Sequence, residues 1–387
     1  MRTRTIACLV LAASALAGSA DVSAAGQTVP GAEARAFTVS PLTGFPGLSL
    51  EVLLYNPPVA EAPWKAPDKP ETTKRKIDAV LVFYGKGLPD GKYALAYAVE
   101  AGEAKLVQAE IPAEVVHGNF EAAVVLQDRY PSATQVSYRF ASGARIAARG
   151  TAPLCWSRFH GRVRYVDGGW RSTYLEFHPN GFRSVGSFYV PAAEDGTFDA
   201  LLPARVYSVL NVNGAGYSID AMERWAWDYD LTRDREDDFA IGRTELYAIR
   251  AFDLNAPVAT VFIMFRPSAL SRVLRYDADG DGRVSAKEMA AAMEAMKNSP
   301  TVIAPELKAE DIEVRLDGRP EKIVRFDMIP EYDGGLWQAQ YILQIFPEPR
   351  PERGVWHEIK LEVRSKETLR GREIVDFGQG SVGFYRY

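Results

Sequence analysis

Between Asp277 and Glu288 the chain reads DADGDGRVSAKE, with carboxylates at Asp277, Asp279 and Asp281, glycine at Gly282 and a further carboxylate at Glu288. Acids at alternate positions can turn their oxygens towards one point, provided the backbone bends sharply, and Gly282 permits the bend. Hard oxygen donors, six to eight of them on a short loop, are what calcium takes. The carbonyl of Arg283 and the hydroxyl of Ser285 can supply two more oxygens, and Glu288 can close the shell with both of its own. Four carboxylates this close repel one another unless a cation joins them.

The run Asp277–Glu288 resembles the calcium-binding loop of the EF-hand family at each ligand position, with Val284 where such loops bury an aliphatic residue. That resemblance implies a bound Ca2+ with Asp277, Asp279, Asp281, Arg283, Ser285 and Glu288 as ligands. The flanks point to helices. Pro267 opens "PSALSRVLRY", with Val273 and Tyr276 on one face, and "KEMAAAMEAMKNSP" spaces Met289, Met293 and Met296 helically before Asn298 and Pro300. No second loop of this kind is present, so calcium is expected to act as a structural clip between β domains and not as a switch.

The elements around the loop read as strands. "KYALAYAV" sets Tyr93, Leu95, Tyr97 and Val99 on one face, and "QVSYRF" does the same with Val136, Tyr138 and Phe140. "LSLEVLLY" and "IDAVLVFY" are continuously apolar, as strands covered on both faces are. After residue 300, Ile312/Val314/Leu316, Trp337 to Ile345 and His357 to Val363 alternate in the same way. The expected class is mainly β: several immunoglobulin-like or prealbumin-like β-sandwich domains with one inserted helix-loop-helix. The expected organisation is a signal peptide at 1–24, a β-sandwich at 25–150 interrupted by a Pro-rich insert at 56–76, and a second sandwich at 151–266. The EF-hand follows at 267–299 and an immunoglobulin-like β domain at 300–387.

In the second region, Gly161 and Val163, Asp195-Gly196 before Phe198, Leu202-Pro203 before Tyr207 and Val209, and Gly216-Tyr217 follow one another. This series is similar to the prealbumin-like sandwich of carboxypeptidase regulatory domains, although "ARV" replaces the glycine those domains carry after Leu-Pro. The resemblance implies a non-catalytic, extracytoplasmic module.

Arg2 and Arg4 before "IACLVLAASALAG" and "VSA" before Ala25 read as a secretory signal, so the chain is expected to be exported to a bacterial periplasm or the extracellular space. The full chain has 45 basic and 50 acidic residues; losing Arg2, Arg4 and Asp21 with the signal leaves a net charge of −6. An acidic balance excludes the basic face that nucleic-acid binding needs. No apolar run outside the signal approaches membrane-spanning length. Cys155 is the one cysteine beyond the signal, read as a small buried hydrophobe beside Trp156.

Trp225, Trp227 and Tyr229 alternate in "ERWAWDYDLTRDREDDF". On one strand face they are core if buried; if exposed they form a comb for stacking on sugar rings. The acids and arginines from Asp228 to Asp238 read as a solvated turn. No histidine pair, nucleophile elbow or phosphate loop appears, although Cys155, His160 and His178 are candidates for a shared zinc. The leading expectation is therefore a non-catalytic calcium-binding β-protein. Its rivals are a carbohydrate-binding module using Trp225, Trp227 and Tyr229, and an envelope hydrolase whose site has no motif. Expected partners are calcium and a glycan or envelope protein.

Overall fold

The computed structural model describes residues 47–55, 78–127, 132–182, 187–214, 220–254 and 260–386. The expected signal peptide, the Pro-rich insert at 56–76 and Gly216-Tyr217 lie outside them. The chain is mainly β, built of packed sheets with one short helical insert.

The first seven strands are β1 (Gly47–Tyr55), β2 (Asp78–Lys86), β3 (Gly91–Ala101), β4 (Ala104–Val115), β5 (Asn119–Gln127), β6 (Gln135–Ser142) and β7 (Arg145–Pro153). They form two sheets, β1-β2-β5 and β4-β3-β6-β7. The unbroken apolar run of β2 is buried from Ala79 to Phe83. Phe83 meets Tyr97 and Tyr138 of the facing sheet at ring separations of 5.9 and 6.0 Å. A fully buried aromatic such as Phe83 contributes roughly 1.5–3 kcal/mol of transfer free energy.

The next seven strands are β8 (Trp156–Tyr165), β9 (Thr173–Phe182), β10 (Phe188–Pro191), β11 (Thr197–Pro203), β12 (Arg205–Gly214), β13 (Arg224–Leu231) and β14 (Arg235–Ile241). A small sheet, β11-β8-β14, packs on the β10-β9-β12-β13 end of a larger one. Phe159 holds the layers together, with its ring 5.8 Å from both Phe177 and Tyr229. Cys155 does not enter this core. It is exposed between β7 and β8, while its neighbour Trp156 turns inward and donates its ring N–H to the carbonyl of Ala133 at 2.6 Å.

The remainder comprises β15 (Thr244–Leu254), β16 (Thr260–Ala269), helix α1 (Leu270–Val273), helix α2 (Ala286–Met296), β17 (Ile312–Leu316), β18 (Arg319–Glu321), β19 (Ile323–Asp333), β20 (Leu336–Ile345), β21 (Trp356–Leu369) and β22 (Arg372–Tyr385). The alternating residues expected inside are inside: Ile312, Val314 and Leu316 on β17 pack with Ile359, Leu361 and Val363 on β21 and with Leu343 and Ile345 on β20.

The last strand is the structural seam. β22 forms a hairpin with β21 along its whole length and also pairs with both β13 and β15, parallel to each: Trp225–Trp227 run beside Gly380–Val382, and Thr244 beside Gly378. One twelve-stranded sheet therefore continues from β10 to β19 across residue 300. Glycines make the close approach feasible, since a Cβ on Gly383 would stand 2.1 Å from the Asp228 carbonyl oxygen and one on Gly378 would stand 2.5 Å from that of Thr244.

The first helix departs from expectation. Pro267 is not a helix start but a residue of β16, opposite Leu246 of β15. Pairing of β16 with β20 ends at Phe265, so a proline at 267 costs no ladder bond on that side. Only Leu270–Val273 are α-helical, followed by a 3-10 turn at Leu274–Tyr276.

Candidate metal centre

The loop between that turn and α2 is organised by its own acids. Asp277 accepts the N–H of Gly280 on Oδ1 at 2.7 Å and that of Gly282 on Oδ2 at 2.8 Å. Asp279 accepts from Asp281 N at 3.1 Å, and Asp281 from Arg283 N at 2.7 Å. Gly280 and Gly282 have φ of +80° and +83°, values that side chains resist. Carboxylate oxygens of Asp277, Asp279 and Asp281 consequently lie within 4.8 Å of one another. Oxygens bound to one calcium at about 2.3–2.6 Å cannot be more than about 5 Å apart, so this spacing meets the geometric requirement.

Glu288 stands at the start of α2. Its Oε1 accepts Ala278 N at 2.7 Å, and its Oε2 accepts the N–H and hydroxyl of Ser285 at 2.8 and 2.6 Å. Ser285 in return caps the helix through Glu288 N. The Ser285 hydroxyl, then the Ser285 and Ala278 amides, hold the Glu288 carboxyl below its ordinary range. Burial works against ionisation of Asp277, yet the amides of Gly282 and Gly280 and the guanidinium of Arg370 outweigh it and leave that carboxyl lowered too. Both acids are thus anionic at neutral pH, as a cation requires. Val284 is buried with Leu270, Val273 and Leu274 beneath the loop.

Three arginines tie the loop and the helical turns before it to the seam hairpin. Arg370, in the turn between β21 and β22, donates Nη2 to Asp277 Oδ2 at 2.6 Å. Arg272 and Arg275 both reach Glu367 Oε2 on β21, at 2.8 and 2.9 Å. Met296 is buried against Leu336 and Met293 packs on the same cluster, while Met289 packs on the Leu270–Val284 cluster. The methionine face of α2 is already covered.

The aromatic comb is split. Asp228 has φ of +48°, which breaks the strand's alternation between Trp227 and Tyr229. Trp225 and Trp227 stack together at 6.1 Å and meet Tyr247 edge-on. Tyr229 turns to the other face, into the Phe159 core. Trp225 is 7% exposed and Tyr229 2%, so the three rings present no common surface to a sugar. The acidic run that follows does turn in solvent at residues 232–234, but Asp237 leaves it: this acid is buried and accepts bonds from Tyr229 OH and Arg235 at 2.9 and 2.8 Å.

Cys155, His160 and His178 do not converge; among the described residues the group close enough to share a metal ion is Asp277, Asp279 and Asp281. His178 instead hydrogen-bonds Glu176 at 2.9 Å and Ser187 at 2.9 Å. Near it lies a buried acid that sequence reasoning passed over. Glu223 accepts Nδ2 of Asn211 at 3.0 Å and also that of Asn213. Burial, together with the charges of Glu245 and Glu176, pushes its carboxyl well above the ordinary value. These residues come from four separate strand regions, with no spacing to betray them.

No protein-family model matches the chain, and no curated protein does. Among solved structures, a DUF3823 family protein from Parabacteroides merdae is 9% identical, with 58% of this chain and 98% of that chain covered at a TM-score of 0.18. A DUF3823 family protein from Bacteroides ovatus is 10% identical, with 59% and 98% covered at 0.17. A streptococcal ancillary pilin is 7% identical, with 78% and 95% covered at 0.17. At scores this low the likenesses carry no argument about function. No helix among the described residues is long and apolar enough to cross a membrane.

Proposed function

We propose that this chain is an exported, non-catalytic β-protein that binds one calcium ion in the loop Asp277–Glu288 and uses it as a structural clip. One observation carries the reading: oxygens of Asp277, Asp279 and Asp281 converge within 4.8 Å, beside a Glu288 carboxylate drawn to the same loop. Asp277, Asp279, Asp281 and Glu288 would hold the ion through carboxylates, Arg283 through its carbonyl and Ser285 through its hydroxyl. Calcium supplies a dense positive charge that joins four carboxylates otherwise in mutual repulsion. Export rests on the leader-like residues 1–24.

The clip joins the loop to the β21–β22 hairpin through Arg370 and Asp277. A sensor hand exposes an apolar groove when it binds calcium, and here the methionine side of α2 is packed against Leu336 and Ile303. Titration calorimetry tests the site. The wild-type chain is expected to bind calcium at one site, and Glu288→Gln to weaken binding by at least roughly tenfold, about 1.4 kcal/mol. Absence of calcium heat in the wild type, or unchanged affinity in the variant, rejects the reading.

A further inference from the structure

Strand β19 ends the twelve-stranded sheet. Its inner edge pairs with β20 from Asp333 opposite Leu336 to Arg325 opposite Gln344, and no described strand pairs with its outer edge. Eleven residues of free edge present a row of N–H and C=O groups ready for another strand. This edge is also apolar: Val324, Met328, Ile329 and Tyr332 are between 41% and 61% exposed. Single exposed apolar residues are ordinary; here Met328 and Tyr332 on one face and Ile329 on the other flank the same free edge.

We infer that β19 pairs antiparallel with β19 of a second copy of this chain, about a two-fold axis through Met328. The sequence selects the register. With Met328 opposite itself, Arg325 faces Glu331 of the second copy and Phe326 faces Pro330, and the regular ladder ends at the bulge beside Arg325. Opposite charges and aromatic–apolar pairs directly across an antiparallel ladder are stabilising, and like charges there are not. Moving the axis one residue to Asp327 sets the two Asp327 carboxylates against each other. Moving it to Ile329 sets Asp327 against Glu331. The Met328 axis avoids both.

The faces agree with this register. A bulge at Val324 interrupts the alternation, and beyond it Phe326, Met328, Pro330 and Tyr332 share one side of the strand, so pairing extends that apolar strip across both copies. Phe326 already stacks on core residue Tyr341 at 5.3 Å, which anchors the strip to the interior. On the other side Arg325 now holds Asp327 at 2.5 Å, and Glu331 is held by Arg266 at 2.6 Å. The Glu331 carboxylate retains lone pairs for a second cation. Pro330 removes one N–H donor per strand and leaves the rest of the ladder intact. The same edge is used by both copies, so the contact is isologous and closes at two copies.

Sedimentation equilibrium of the purified chain is expected to show a monomer–dimer equilibrium. Met328→Lys and Arg325→Glu should each weaken it by roughly tenfold or more, the latter by placing glutamate opposite Glu331. Both sites are exposed, and a melting curve checks that the variants fold. Cross-linking reads the register independently, in a Cys155→Ser background because Cys155 is exposed. Residues directly opposite lie about 4.5–5.5 Å apart between Cα atoms, inside the range a disulfide spans. Met328→Cys should therefore form a disulfide dimer on oxidation. Asp327→Cys and Ile329→Cys, diagonal to their own copies at about 7–8 Å, should do so roughly tenfold more slowly. A wild-type chain that stays monomeric at its highest soluble concentration overturns the proposal. So does fastest cross-linking at position 327 or 329.

Discussion

The ammonium of Lys360 on β21 lies 2.7 Å from Oδ1 of buried Asp237 on β14, joining the seam hairpin to the small sheet of the second β region. Asp237 Oδ2 is shared by Tyr229 OH and Arg235, and Arg235 also reaches Glu358 on β21 at 2.6 Å. Burial alone would raise the Asp237 carboxyl, but Arg224, Lys360 and Arg235 together lower it. This is one cooperative charge cluster across the seam.

Removing the shared anion should therefore cost more than removing any one cation. Asp237→Ala removes the nearby negative charge that offsets the burial of Arg224, takes the 2.7 Å partner from Lys360 and leaves Arg235 with Glu358 alone, and breaking a buried pair in this way costs about 3–5 kcal/mol. Lys360→Met removes a more exposed partner and leaves Asp237 with two arginines, so about 1 kcal/mol is expected. Urea unfolding midpoints of the two variants test the order. Equal losses would mean that the cluster does not act as a unit.

The seam depends equally on missing side chains. Adding a methyl at Gly383, 2.1 Å from the Asp228 carbonyl, or at Gly242, 2.2 Å from that of Phe377, forces backbone apart from backbone. Gly383→Ala and Gly242→Ala should each destabilise by about 1–3 kcal/mol. Gly169→Ala, whose new Cβ meets no atom closer than 3.4 Å, the nearest being side-chain ends of Arg171 and Asp167, serves as the control and should be near neutral.

Much of this was legible in the chain itself. Period-two alternation located β3, β6, β17, β20 and β21, because each has one face on a core. The turn at Asp317-Gly318 was signalled by residues that tolerate positive φ, and both adopt it. The loop acids gave themselves away by spacing. Long-range placement was not legible. Nothing local says that β22 leaves its own sandwich to lie between β13 and β15. The left-handed Asp228 that divides the aromatic comb follows from the close approach of Gly383, 155 residues further along the chain. Likewise, Asp237 looked solvated until β21 covered it.

If calcium is a clip, chelation should act on the hairpin as well as on the loop. At ten to a hundred times the dissociation constant, an ion stabilises its folded site by roughly 1.4–2.7 kcal/mol. A chain of this size should then melt a few degrees lower in chelator. Hydrogen exchange should rise at the turn around Arg370, which holds Asp277. A hydrophobic dye should report no new apolar surface when calcium is restored. Calcium-dependent dye binding without a gain in melting temperature would mark a switch instead.

Glu223 should make stability fall as pH rises. Its carboxyl is raised well above the ordinary 4.5 by burial first and by Glu245 and Glu176 next. Between the unfolded and folded values the native state keeps a proton that the unfolded chain has lost. The native state binds more protons in that window, so stability declines with increasing pH until the folded value is passed. Asn211 contributes to the same strain, since its buried Oδ1 has no hydrogen-bond partner while its Nδ2 serves Glu223. Glutamine at 223 carries no charge and adds an amide donor that can serve that acceptor. Glu223→Gln should therefore melt about two to four degrees above wild type at pH 7, and the gain should shrink towards zero near pH 4. Comparing the two chains at each pH cancels the titration of acids remote from Glu223. A variant less stable than wild type at pH 7 would show instead that the Glu223 carboxylate is ionised and held by its neighbours.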